Sequence, residues 1–123
     1  MLIDIKTENF YEGNKLVTIE YCLYINGKRE GYIGIDVTHH QNFVTVSQVN
    51  NRYRGRGFGK MLYLTALESH YKISTRYHRS SKHAQYVWNS LIKTYAFRTN
   101  FFTDTLTVYN RRKIGRASCR ERV

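Results

Sequence analysis

Residues 44–71 read VTVSQVNNRYRGRGFGKMLYLTALESHY, and the rest of the chain is organised around them. Thr45, Val46, Ser47 and Val49 are mostly β-branched, which suits a pleated strand. Gly55, Gly57 and Gly59 then let the backbone turn sharply and leave its N–H groups uncovered. From Phe58 to His70 the composition is rich in Lys, Met, Leu, Ala and Glu, without proline, and predicts a helix. A glycine turn feeding a helix N-terminus favours an anion, because free N–H groups and the helix dipole point the same way. Arg52, Arg54, Arg56 and Lys60 surround it with positive charge. The stretch reads as a phosphate site.

The spacing counts against two familiar phosphate loops. The pattern is not G-x-x-x-x-G-K-S/T, and it is G-x-G-x-G rather than G-x-G-x-x-G, with no acidic residue ending a strand about twenty residues on. Arg54-Gly55-Arg56-Gly57-Phe58-Gly59 instead resembles the R/Q-x-x-G-x-G/A loop of the GNAT acetyltransferase superfamily, and residues 49–60 resemble that family's run from strand into helix. The resemblance implies that the loop, Arg54 to Lys60, cradles the pyrophosphate of acetyl-coenzyme A (acetyl-CoA). RGRG also occurs in basic RNA-binding segments, so a nucleic-acid reading stays beside it.

The chain has 123 residues, 41% of them hydrophobic, with 11 Tyr and 6 Phe, which is globular rather than disordered. No apolar run approaches a membrane span, and MLIDIKTENF has no signal-peptide shape, so a soluble cytoplasmic protein is expected. Residues 114–123, IGRASCRERV, match at every position the translation of a common sequencing-library adapter and are set aside as a non-native tail. Without its three arginines and one glutamate the net charge falls from +11 to +9. Cys22 is then the lone cysteine, so neither a disulfide nor a metal cluster is expected. The excess charge asks for an acidic partner: a phosphorylated cofactor, nucleic acid, or both. Residues 1–113 are expected to form one domain, and small size with an adapter tail points to a phage or bacterial source.

Along the chain, residues 2–5 predict a short first strand and residues 7–15 a loop or poor helix. Residues 16–25 predict a strand, Asn26-Gly27 a hairpin turn, and residues 31–38 the returning strand. His39 to Asn42 predicts a turn, residues 43–49 a third strand and residues 72–77 the next. Ser80-Ser81 offers an N-cap to a helix over residues 82–95, with Ala84, Val87, Trp88, Leu91 and Ile92 on one face. Phe101-Phe102 and residues 106–109 supply a last hairpin. The resemblance implies an α/β (α+β) fold: a mostly antiparallel twisted sheet, a splayed parallel strand pair and two main helices. The family places two helices between its first two strands, beside the acceptor pocket. Only about ten residues are available here, so that region is reduced.

The resemblance also implies site residues. The pantetheine arm lies between the splayed strands, where the backbones of Ser47 and Val49 would pair with it and the Ser47 N–H would polarise the thioester carbonyl. Residues 91–97 resemble the family's L-Y-x-x-x-G-F. The tyrosine that protonates the departing thiolate falls on Ile92, and the glycine falls on Ala96. Tyr95, three residues along, is the substitute general acid; Tyr86 and His83 are weaker candidates. His39, His40, Asp36 and Glu20 are candidate bases, each with a bland reading as a solvated or ion-paired residue. Cys22 reads as core. Three functions follow: an N-acetyltransferase in which an unidentified amine attacks bound acetyl-CoA directly, a CoA-binding protein without turnover, or a basic, tyrosine-rich nucleic-acid module. The acceptor and the oligomeric state are not legible.

Overall fold

The computed structural model describes residues 1–110; the expected tail, with Cys119, lies outside the described residues. Seven strands form one sheet: β1 Ile3–Glu12, β2 Lys15–Ile25, β3 Lys28–Asp36, β4 Phe43–Val49, β5 Lys72–Arg76, β6 Ala96–Asn100 and β7 Thr105–Tyr109. Their spatial order is β1-β2-β3-β4-β5-β7-β6. Every neighbouring pair is antiparallel except β4 and β5, which are parallel. Helix α1, Phe58–Ser69, follows β4, and helix α2, Lys82–Leu91, follows β5. This is the mixed α/β sheet with a parallel pair and two main helices that the sequence leads one to expect.

The meander is set by its turns. Asn26 and Gly27 both take positive φ, 52° and 81°, the geometry a two-residue hairpin needs to match strand twist. Between β3 and β4 the backbones approach so closely that a Cβ on Gly31 would lie 2.7 Å from the Gln48 carbonyl oxygen. Asn50 closes the end of that pair, its N–H donating to the Glu30 carbonyl at 2.8 Å and its side chain to the Glu30 carboxylate at 3.1 Å.

One face of the sheet carries the core. Tyr21, Leu23 and Ile25 of β2 and Ile33 and Ile35 of β3 are buried together with Phe58, Leu62, Tyr63, Ala66 and Leu67 of α1. Val87, Trp88 and Leu91 of α2 complete the cluster with Ile73 and Val108. A fully buried side chain of this size stabilises by roughly 1.5–3 kcal/mol, so this one-sided layer carries most of the fold's favourable energy. Ser81 caps α2 by accepting from the Ala84 N–H at 3.1 Å.

Three expectations are corrected. Residues 7–15 are neither loop nor helix: β1 continues to Glu12 and turns back at Gly13-Asn14 into β2, paired from Ile3–Ile25 to Glu12–Lys15. An edge strand needs only backbone pairing and can stay polar, and nearly all of β1 is exposed. Helix α2 ends at Leu91 rather than Tyr95: beyond it the Lys93 and Thr94 N–H groups bond three residues back, to the Ser90 and Leu91 carbonyls, and the chain tightens into turns. Phe101 and Phe102 lie in the β6–β7 turn, not in a strand: Asn100 Oδ1 accepts from the Phe102 and Thr103 N–H groups, and Asp104 has positive φ. Cys22 is buried, as expected of a core residue, and strand alternation faces it away from the largest apolar cluster, toward Glu8, Glu20 and Arg29. Burial there pushes its thiol pKa up. The Glu8, Glu20 and Cys22 ligand atoms lie within 4.8 Å of one another, and Arg29 pairs with Glu20 at 3.0 Å.

Candidate active site

The glycine loop presents bare backbone. Gly55 and Gly57 have φ of 75° and 87°, and nothing lies within 4 Å of where a Cβ would sit on Gly55, Gly57 or Gly59. Gly57 is the N-cap of α1, and its carbonyl accepts the first helical hydrogen bond, from the Met61 N–H at 3.0 Å. The N–H groups of Phe58, Gly59 and Lys60 therefore precede the helical ladder, and no acidic residue in the first turn offsets the dipole. Phe58 offers only its N–H, since its ring is core. Arg54 folds back, Nε donating to the Val49 carbonyl at 3.0 Å. Arg52 and Arg56 both lie over the Tyr53 ring, and Lys60 donates to Ser90 Oγ at 2.7 Å, tying α1 to α2.

Next to the loop the sheet opens. Strands β4 and β5 are in register only at Phe43–Ser74. There the Ser74 N–H donates to the Asn42 carbonyl at 3.1 Å, and Asn42 Nδ2 donates to the Lys72 carbonyl at 3.0 Å. Beyond this point the strands diverge. The Asn50 N–H points to β3, so alternation along the strand turns the backbone groups of Val49 and Ser47 the other way, into the gap.

Two clefts line that gap. One, of 280 Å³, runs past Val49, Arg54, Gly59 and His83 beside the glycine loop. The other, of 540 Å³, extends toward Asp36, Arg76 and Arg79. They meet at Ser47, Tyr63, Ser81 and Ala84, which line both.

At the junction the Tyr63 and Ser47 hydroxyls are hydrogen-bonded at 2.9 Å. Burial raises the Tyr63 pKa, against smaller downward pulls from Ser47 and Trp88, so the phenol stays protonated at neutral pH. The Trp88 ring meets Tyr63 edge-on at 5.3 Å, and its buried N–H has no acceptor among the described residues. Sequence reasoning missed Tyr63. Its only signal was a polar tip on the otherwise apolar face of α1.

The other candidates are dispersed. Tyr95 lines neither cleft: with α2 ending at Leu91 it is not on a helical face shared with Ile92. Tyr86 is exposed and lines neither cleft. His39 borders a third cleft with Arg76 and Arg98, and His40 is exposed. Glu20 is engaged by Arg29. Asp36 lines the larger cleft but is bound by Thr38, whose N–H at 2.8 Å and hydroxyl both donate to it. Burial raises the Asp36 pKa, but those bonds, with His39 and Lys15, outweigh it and hold the carboxyl below its ordinary value.

The overall fold recurs in solved structures of acetyltransferases. The chain has the GNAT fold. It superposes on a GNAT family acetyltransferase from Elizabethkingia anophelis with acetyl-CoA bound at a TM-score of 0.58 and 13% identity, covering 86% of this chain and 98% of that one. PaiA N-acetyltransferase from Thermoplasma acidophilum, in complex with coenzyme A, gives 0.57 at 12% identity, covering 77% and 62%. The ribosomal-protein-S18-alanine N-acetyltransferase from Escherichia coli gives 0.54 at 14%, covering 79% and 68%. The chain thus spans somewhat less than two thirds of the Thermoplasma enzyme but nearly all of the Elizabethkingia one. No protein-family model and no curated protein matches it. Among the described residues, no helix is long and apolar enough to cross a membrane.

Proposed function

We propose that this chain is an acetyl-CoA-dependent N-acetyltransferase. The observation that carries the reading is the single β4–β5 register point, Phe43–Ser74, beyond which the parallel strands part beside the glycine loop. Unpaired strand groups in such a gap can bond the amides of a pantetheine arm. The loop N–H groups and Arg54 would take the pyrophosphate. The thioester then falls at the junction of the two clefts, where the Ser47 N–H would polarise its carbonyl.

The chemistry there is a direct transfer. A neutral amine nitrogen forms a C–N bond to the acetyl carbon as the C–S bond breaks, and the electron pair leaves on sulfur. Tyr63, kept protonated by burial, donates its proton to the thiolate. The surplus proton on the new amide nitrogen returns to the phenolate through Ser47 or water. The products are an N-acetylated amine and coenzyme A. Tyr63 thus takes the role that the family resemblance assigns to the position of Ile92. A cytoplasmic setting, in a bacterium or a phage-infected cell, goes with this reading.

Thermal melting of the full chain with and without acetyl-CoA, at low and moderate salt, tests the cofactor site. Ligand at about 100 times its Kd adds about 2.7 kcal/mol, a shift of several degrees for a domain of this size. No shift with acetyl-CoA, together with a salt-sensitive shift from short oligonucleotides, would instead favour a nucleic-acid module.

A further inference from the structure

The larger cleft is basic. Arg76 and Arg79 line it against one carboxylate, Asp36, which Thr38 already occupies with two hydrogen bonds. The cleft beside it shares Phe43 and Arg76 and adds Arg98, and among the described residues no carboxylate lines it. Arg76 is held in place: its guanidinium lies over the Phe43 ring at 4.9 Å, and Nη1 donates to the Thr103 carbonyl and, at 3.1 Å, to the Thr105 hydroxyl. Arg79 is exposed in the turn before α2, and Ser80 and Ser81, at the positive end of that helix, border the same cleft. A guanidinium pre-oriented in this way matches a carboxylate or phosphate, with its remaining N–H groups free of steric search.

We propose that the acceptor is an amine carrying an anionic group, a carboxylate or a phosphate. That group docks against Arg76 and Arg79 while the amino nitrogen reaches the Ser47–Tyr63 junction. The assignment rests on the acetyltransferase reading above and narrows its substrate class. A polycationic acceptor, which would bring further positive charge against two or three guanidinium groups, is selected against. Salt dependence follows: high salt should weaken capture of the anionic amine more than binding of a neutral one.

The test pairs amines of one skeleton with and without the anionic group, using the full chain and acetyl-CoA. Phosphoethanolamine is set against ethanolamine, 4-aminobutyrate against butylamine, and spermidine serves as the polycation. Thiol release gives kcat/KM, and calorimetry in the presence of coenzyme A gives binding of each amine. The expected result is at least about tenfold higher kcat/KM, or tighter binding, for one of the anionic amines than for its uncharged-tail partner and for spermidine. Which of the two wins separates a phosphate from a carboxylate acceptor.

Arg79→Glu should remove that advantage while leaving the acetyl-CoA melting shift as in the parent chain. Preference for spermidine, no binding of either anionic amine at millimolar concentration, or an advantage untouched by Arg79→Glu overturns the acceptor assignment alone. Absence of any acetyl-CoA melting shift overturns the cofactor reading, and the acceptor assignment falls with it.

Discussion

Gly57 separates charge from strain at the centre of the loop. Its φ of 87° is left-handed, so any side chain there is strained, but nothing lies within 4 Å of an added Cβ. Asp and Asn tolerate this conformation better than most residues and have nearly the same size, so they share its backbone penalty. They differ in one negative charge, placed at the helix N-terminus where the pyrophosphate is to sit. Two unit charges about 4 Å apart repel by about 1 kcal/mol in water and about 4 kcal/mol at the effective dielectric of a protein surface. Gly57 is exposed, which keeps the answer between those limits. Gly57→Asp should therefore bind acetyl-CoA between about fivefold and about a thousandfold more weakly than Gly57→Asn. Melting curves over an acetyl-CoA titration measure both affinities, and the unliganded curves check that both variants fold alike. Equal affinities in two equally folded variants would show that no phosphate sits at this turn.

Tyr63→Phe removes the proposed proton donor and keeps the edge-on contact with Trp88. It should lower kcat by at least about tenfold, within the usual range for losing a general acid, and leave acetyl-CoA binding nearly unchanged. A steady-state rate within twofold of the parent would refute the role. Asp36 sets a pH dependence of stability. Its folded-state pKa lies below the ordinary 3.8, so its stabilisation is present above that value and is lost as pH falls through the folded value. Asp36→Asn should therefore lower the melting temperature at neutral pH, by a difference that shrinks toward zero below about pH 4. A difference that grows with acid would contradict it.

The local parts of this molecule were legible and the distant pairings were not. Residues 44–71 announce strand, turn and helix because the glycines, β-branched residues and helix formers are contiguous, and the anion preference follows from backbone geometry alone. Strand β1 was hidden by its composition: polar edge residues obey pairing, not burial, and the Gly13-Asn14 turn was the one sign of it. The end of α2 was misjudged because its apolar spacing continues past Leu91 into a turn closed by hydrogen bonds to that residue's carbonyl. Tyr63 gains its meaning from Ser47 on another element, a contact that no spacing rule within α1 reveals.

The two halves of the site differ in how they are encoded. The proposed cofactor side comes chiefly from one continuous segment, from Ser47 through Gly59 to Tyr63, with α2 closing it at His83 and Ala84. The proposed acceptor side is assembled chiefly from β3, β4, the end of β5 with the turn after it and the start of α2, and its charge is set by Asp36, Arg76 and Arg79. The β1–β2 hairpin occupies the interval where the family places acceptor-side helices, and it lies at the far edge of the sheet from β5. On the proposed reading, acceptor selection therefore falls to side chains on the sheet rim. A rim can change charge without disturbing the loop, because only Ser47, Tyr63, Ser81 and Ala84 belong to both clefts. Of these four, Ser47 and Tyr63 form the hydroxyl pair at the proposed point of transfer. On the proposed reading the chemistry is fixed where the clefts join, and the choice of amine falls to Arg76 and Arg79, which line only the larger cleft of the two.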